Sequence, residues 1–393
     1  MNIILFDYID NWENLLPLTY TRPISEIRVG ILTIKEKWEK MFLASCSYLT
    51  KSYLQEKFKI KYSSENLYVN SLILPNNEIV NKLNDLKSNQ VLISNETIVG
   101  FKSSAEIRQV NSDTIKGLEI IKLNIQISKI SYPWDIFSLN EQEIENDYKL
   151  LTKNRTSSNL SNSNRIIGEN IFVEEGAVSE FAIINAKDSF VYLAKDSEIM
   201  EGSVIRGSLA LCEHSTIKMG AKIYGATTIG PHSKVGGELN NVVITGYSNK
   251  GHDGFLGNAV LGEWCNLGAD TNNSNLKNNY AEVKVWNYKA EKFIKTGLQF
   301  CGLIMGDHSK SGINTMFNTG TVVGVNANIF GSGFPRNFVP SFSWGGAHGY
   351  TEYTVIKAFE VNQKVMERRN IEFDTIEQNI LKEVFEMTNK YRK

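Results

Sequence analysis

From Leu193 onward, large aliphatic side chains return at every sixth residue: Leu193, Ile199, Ile205, Leu211, Ile217, Ile223, Ile229 and Val235. Two residues ahead of most of them the side chain is small, as at Ser197, Ser203, Ser215, Ala221, Thr227 and Ser233. Six is neither the 3.6 of a helix nor the 2 of a half-buried strand. Short strands that turn a corner every six residues satisfy it. Three such sides make one coil of a parallel β-helix, with the aliphatic residue inside and the small one packed beside it. The pattern predicts an all-β, left-handed parallel β-helix of hexapeptide repeats over 165–340. The register breaks after Val235, resumes at Phe255, Leu261 and Leu267, is interrupted over 270–296, and returns as Phe317, Val323 and Ile329. Insertions at corners leave a stacked core intact, and function concentrates in such excursions.

Ahead of the solenoid the pattern is different. Residues 3–6, 67–70 and 91–93 read as strands, with helices over 31–42 (Ile31, Ile34, Trp38 and Met41 on one face) and 78–86. Strands alternating with helices predict an α/β domain over 1–151, ending in a helix over 140–151. A stretch rich in Ser and Asn, 152–164, reads as a linker. The tail, 341–393, reads as helical from Thr351, with Asp374-Thr375-Ile376-Glu377 as a capping box ahead of its last apolar stripe. A chain of 393 residues is long enough for two cores.

Charge changes the picture only by exclusion. With 42 basic and 43 acidic residues, no chain-wide surface for nucleic acid or anionic membrane is expected. Cys46, Cys212, Cys265 and Cys301 stand far apart with no CxxC pair, so neither a zinc framework nor disulfides are expected and a reducing cytoplasm is. The opening Met1-Asn2-Ile3-Ile4-Leu5-Phe6-Asp7 has no basic segment, and no run of 18 apolar residues follows. Neither a signal peptide nor a membrane span is therefore expected.

The second half resembles the acetyltransferase domain of the bifunctional enzyme that makes UDP-N-acetylglucosamine. The resemblance rests on Gly251-His252, the paired turns Leu261-Gly262 and Leu267-Gly268, Ala290-Glu291-Lys292-Phe293 and Met305-Gly306-Asp307. It implies acetyl-CoA as acyl donor, His252 as catalytic base, Asn266 and Asn275 as substrate contacts and Ala269 as a backbone contact to coenzyme A. Phe255 stands where the family has tyrosine, and the loop after Asn275 is longer by about a dozen residues. The first half resembles sugar-phosphate nucleotidyltransferases through Pro17-Leu18-Thr19-Tyr20-Thr21-Arg22-Pro23 and Val29-Gly30. It departs from them in having no Gly-x-Gly-x-x-Arg loop, Ile24 in place of a lysine, and neutral Asn70 near the expected metal-binding aspartate. Phosphoryl transfer depends on such charges and on Mg²⁺. A nucleotide-binding relic or an unusual catalyst is expected there.

Acetyl transfer to an amine needs a base, donors for the thioester oxyanion and a slot for the pantetheine arm. An imidazole, with an ordinary pKa near 6.5, suits the first; Asn side chains and corner amides suit the second. Lys250 and Arg22 are candidates to neutralise phosphate, and Lys292 and Lys310 to contact coenzyme A. A sugar phosphate and a nucleotide sugar are the expected small-molecule partners. Prisms of this kind expose flat sides and pack as threefold assemblies, so a homotrimer is expected. Two other readings stand beside this one. His214 and His232 should stack one coil apart, where γ-class carbonic anhydrases hold zinc, although the clustered His-x₄-His spacing is missing. Alternatively, the chain is a sugar-nucleotide scaffold without turnover, or an active nucleotidyltransferase with a structural β-helix.

Overall fold

The computed structural model of the chain describes residues 2–392; Met1 and Lys393, the outer ends of the first and last predicted segments, lie outside them. Contacts group the chain into two units, one running to Ile27 and again over Leu32–Asp135, the other holding Arg28–Ile31 and everything from Ile136.

The first unit is a six-stranded mixed sheet. Asn2–Phe6 lies parallel between Cys46–Leu49 and Asn66–Asn70. Thr97–Ser103 then pairs antiparallel with Asn66–Asn70 and with Gln90–Ser94, which runs parallel to Glu119–Lys122. The first strand lies next to one edge of the sheet, flanked on both sides, and Ile3, Ile4, Leu5 and Phe6 are buried. The expected helix over 31–42 begins only at Ile34, because Thr33 and Glu36 close a capping box, with Glu36 N donating to Thr33 Oγ1 at 3.2 Å and Thr33 N to Glu36 Oε2 at 2.7 Å.

A helix, Pro133–Thr152, starts earlier than its apolar spacing suggested and belongs to the second unit from Ile136 on. Two of its buried polar side chains pin the Arg28–Ile31 segment. Asn140 Oδ1 accepts from Gly30 N and Asp147 Oδ2 from Ile31 N, each at 2.8 Å, while Asn140 Nδ2 donates to Ala226 O. A Cβ on Gly30, whose φ is +77°, would meet the Glu143 carbonyl at 2.6 Å. These bonds explain why four residues so early in the chain group with the second half.

The solenoid is the parallel β-helix that the six-residue period predicts. One of its three sides alone stacks nine parallel strands among the described residues, from Val178–Ser179 to Ser343–Gly346. All eight aliphatic residues from Leu193 to Val235 are at most 1% exposed, and Ser197, Ser203, Ser215, Ala221, Thr227 and Ser233 are buried beside them. Coil formation does not stop after Val235, where the sequence register breaks. Instead the corner shrinks: Glu238–Gly246 runs through two sides, bent at Asn241 (φ +57°), and Leu239 and Ile244 take the inward places. Phe255–Glu263 repeats this, so the inward residue is Leu256, not the expected Phe255. The second interruption begins later than 270. Asn272–Asn273 still completes a side, paired with Met316–Phe317, and only then does the chain leave to form the hairpin Lys284–Asn287 with Lys292–Lys295.

One corner carries Asp196, His214, His232, Tyr247, Trp264, His308, Asn326 and Phe342, all with φ between 51° and 60°. A non-glycine residue held there costs roughly 1–2 kcal/mol. Ring stacking offsets part of it: His214, His232, Tyr247 and Trp264 follow one another with centroids 4.4–4.8 Å apart, and His308 lies 6.2 Å further on. The tail forms helices Val355–Glu367 and Thr375–Met387, the second capped by Asp374 as expected. Phe342 meets Phe385 edge-on at 5.1 Å, so the last corner of the solenoid, which extends past 340 to Ser343–Gly346, seats the tail. The helices of the tail begin only at Val355, after the strand Gly349–Glu352. No helix of the described residues is long and apolar enough to cross a membrane.

Ile217→Ala should lower unfolding free energy by about 2–5 kcal/mol, because the interior cannot collapse around the gap. Met219→Ala, two residues on and 70% exposed, should stay within about 0.5 kcal/mol. Urea titrations of the two variants check this.

Candidate active site

His252 sits where the chain turns from one coil into the next, between Asn249–Lys250 and Phe255–Glu263, and is exposed. The turn rests on two glycines of the preceding coil. A Cβ on Gly236 would lie 2.8 Å from Gly251 O, and one on Gly237 2.9 Å from His252 O. Only bare backbone lets this corner settle so low. One coil on, the same corner is made by Gly268, Ala269 and Asp270, with Asp270 N donating to Asp253 O at 3.0 Å. Asn314 N in turn donates to Ala269 O at 2.8 Å. His252 and Ala269 are therefore neighbours along one edge of the prism.

Asn266 is exposed on the side that leads to this edge, in register between Asn249 and Lys310. Phe255 and Asn275 meet on the next side, around Gly257. Its added Cβ would touch the Phe255 ring at 2.5 Å and Asn275 Nδ2 at 2.8 Å, and Asn275 Nδ2 also donates to Asn258 Oδ1 at 2.8 Å. The sequence-predicted residues thus form two clusters flanking one corner, His252 with Ala269 and Asn266, and Phe255 with Asn275.

Three predicted residues have other surroundings. Lys250 occupies an inward position, in register with Val235, and is 2% exposed. Its Nζ donates to His252 O at 2.5 Å and Asp253 O at 3.1 Å, and burial pushes its pKa down to about 8. Its place is beneath the corner, holding the carbonyls, rather than on a surface facing phosphate. Lys310 likewise donates to His308 O at 2.8 Å, and burial of its ammonium lowers it to about 8. Lys292 is exposed on the inserted hairpin. His214 and His232 do stack one coil apart as expected, rings 4.8 Å apart and 19° from parallel. Among the described residues no group of three or more His, Cys, Asp or Glu could hold a metal ion.

In the first unit the polar centre is Asp7, a residue that sequence reasoning passed over. It follows the first strand at the carboxyl edge of the sheet, where open α/β sheets bind ligands. Its carboxyl accepts from Ile24 N at 3.1 Å and from the Thr50 hydroxyl at 2.5 Å, and burial raises its pKa to about 7. Arg22, in the same Pro-Leu-Thr segment as Ile24, is 7% exposed with its charge near Glu26. Asn70 is also buried, and both ends of its amide are used, Nδ2 donating to Ile98 O and Oδ1 accepting from Leu72 N. It offers no charge to a cation, so Asn70 does not supply the carboxylate of the Mg²⁺ site that the resemblance implies. The sequence signal for Asp7 was an acid ending an otherwise apolar strand.

Residues 3–156 match the model of a sugar nucleotidyl transferase family. The chain is similar to the bifunctional protein GlmU of Methanocaldococcus jannaschii, 26% identical over 217 residues, which is 55% of this chain and 46% of that one. It is also similar to the bifunctional sugar-1-phosphate nucleotidylyltransferase/acetyltransferase of Sulfurisphaera tokodaii, 29% identical over 203 residues, or 51% and 44% of the two chains. The chain spans less than half the length of these relatives. Among solved structures it is similar to an Arabidopsis UDP-N-acetylglucosamine acyltransferase, with 14% identity over 60% of this chain and 94% of that one and a TM-score of 0.23.

A carboxyl whose pKa folding raises holds its proton more tightly in the folded state. Stability should therefore fall as pH rises from about 4 to about 7. Asp7→Asn should flatten that slope in urea unfolding measured across this range. Parallel curves for the two proteins would mean that the carboxyl is not closed in.

Proposed function

We infer that this chain, a GlmU-type protein joining a sugar nucleotidyl transferase domain to a hexapeptide solenoid, is a transferase that moves an acetyl group from acetyl-CoA to the amine of an amino-sugar phosphate such as glucosamine 1-phosphate. The observation that carries this reading is the exposed imidazole of His252 on a corner flattened by Gly236 and Gly237. The Ala269 corner lies next to it, and Asn266 stands on the adjoining side.

The chemistry divides as follows. The amine nitrogen attacks the thioester carbonyl carbon, and His252 takes the proton that the nitrogen gives up. The carbon–sulfur bond then breaks, the electron pair leaves with coenzyme A as thiolate, and the imidazolium returns the proton to that sulfur. Oxyanion donors come from side-chain amides such as Asn266 and from corner backbone N–H groups; preformed donors of this kind are worth about 10²–10³ in rate. Lys250 positions rather than reacts, since its ammonium holds the two carbonyls of the corner that carries His252. Asn275 and Phe255 stand on a different side from His252, and flat-sided prisms associate with sites between neighbours, which supports a homotrimer with a shared site. The first domain, with Asp7 at its centre and Asn70 already committed, supports binding of a sugar nucleotide with slow nucleotidyl transfer.

Purified protein, acetyl-CoA and a panel of amino-sugar phosphates, followed by release of free thiol, test the proposal. His252→Ala should lower kcat by about 10²–10⁴, and full turnover in that variant would remove the assignment of the base. Light scattering should return three copies of the chain, and a monomer would exclude a site shared between subunits.

A further inference from the structure

The inserted hairpin and the end of the tail meet on a part of the solenoid away from the His252 corner. Between the hairpin, the last coil and the final residues lies a cleft of about 990 Å³. Ligand sites typically measure about 300–1,000 Å³. Every ionisable side chain of fixed charge in its wall is cationic: Lys277, Lys284, Arg336 and Arg392, with no carboxylate. Two of the four are already engaged, Lys277 Nζ with Glu282 O at 3.0 Å and Arg392 with Glu352, Thr388 and Phe385. Lys284 and Arg336 are exposed and make neither an ion pair nor a side-chain hydrogen bond among the described residues.

The rest of the wall is largely aromatic. Trp286 stacks on Phe338 with centroids 4.4 Å apart and planes 13° from parallel, so those two rings are fixed against each other. Phe293 meets Trp286 edge-on at 5.6 Å and is itself 43% exposed. Phe293 thus offers an open ring in the same wall as Lys284 and Arg336.

We propose that this cleft binds a nucleoside diphosphate group, the phosphates on Lys284 and Arg336 and the base against Phe293. The charge chooses an anion, since the charged side chains in this concave wall are all cations, with Glu282 close enough to Lys284 to share its charge but outside the lining. The aromatic faces choose an anion that carries a flat ring, because stacking on a base is worth about 1–3 kcal/mol. The same chemistry is present in nucleotide sugars and in the adenosine end of coenzymes, and purine and pyrimidine probes separate these sources. The proposal does not depend on acetyl transfer at His252.

Calorimetric titration of the full chain with ADP, UDP, adenosine and inorganic pyrophosphate tests it. At least one of ADP and UDP should bind, more tightly than pyrophosphate or adenosine, and added salt should weaken it. Preference for ADP points to a coenzyme, preference for UDP to a nucleotide sugar. Lys284→Ala, Arg336→Ala and Phe293→Ala should each weaken binding about tenfold or more, with unchanged melting temperature. Lys222→Ala, on the face of an earlier coil, should not. Loss of neither affinity in these variants overturns the proposal, as does absence of binding by both nucleotides. Pyrophosphate binding as tightly as ADP and UDP, unaffected by Phe293→Ala, also overturns it by reducing the cleft to an anion patch.

Discussion

Backbone hydrogen bonds between successive coils hold each side of the prism directly over the one before, so every inward side chain is packed against its counterpart in the next coil. Everything else in the second unit follows from this. Aliphatic residues fill the interior from Leu193 to Val323, and small ones such as Ser203 and Ser233 take the space next to the bend. The backbone must also turn sharply at each corner, which forces residues as large as Trp264 and Tyr247 into left-handed conformations. Because each coil repeats the same turn, those rings lie over one another and recover some of the cost as contact.

The same stacking rule creates the candidate site. A corner can present an imidazole outward only if the chain beneath it is out of the way, and Gly236 and Gly237 provide that room. The shortened corner at Asn241 shifts the register, so the inward place in this coil falls on Lys250. A lysine there is tolerable because its ammonium reaches the corner carbonyls. The excursion after Asn273 leaves the interior intact for a related reason: Met316–Phe317 pairs directly with Asn272–Asn273, and the hairpin grows outside the ladder. What the hairpin meets there is the tail, and their aromatic contacts line the cationic cleft.

The first unit has the architecture that the resemblance implies, with its own set of polar side chains at the sheet edge. Its mixed sheet and Pro-Leu-Thr segment accord with a sugar nucleotidyl transferase domain. Yet Asn70 is spent on backbone groups, and the carboxyl at the sheet edge is Asp7, half-buried and held by a backbone amide and a hydroxyl. Burial raises the pKa of such a group and weakens it as a metal ligand near neutral pH.

Much of this was legible in the sequence. The six-residue period alone determined the solenoid, because only a corner every six residues can bury those aliphatic positions together, and the Asp374 cap and the stacked His214 and His232 followed from local spacing. The resemblance singled out His252, Asn266 and Ala269, and the stacked corners bring His252 and Ala269 to one edge. Other features needed tertiary structure. Which way Lys250 points, that Leu256 and not Phe255 faces inward, and that Arg28–Ile31 belongs with the second half all depend on partners distant in sequence: Val235 beneath Lys250, Leu239 beside Leu256, and Asn140 and Asp147 on Gly30 and Ile31. A linear pattern records the period of a strand and the chemistry of a residue; the direction in which a side chain is buried is set by the neighbouring coil, and a cleft by chain segments that meet only once folded.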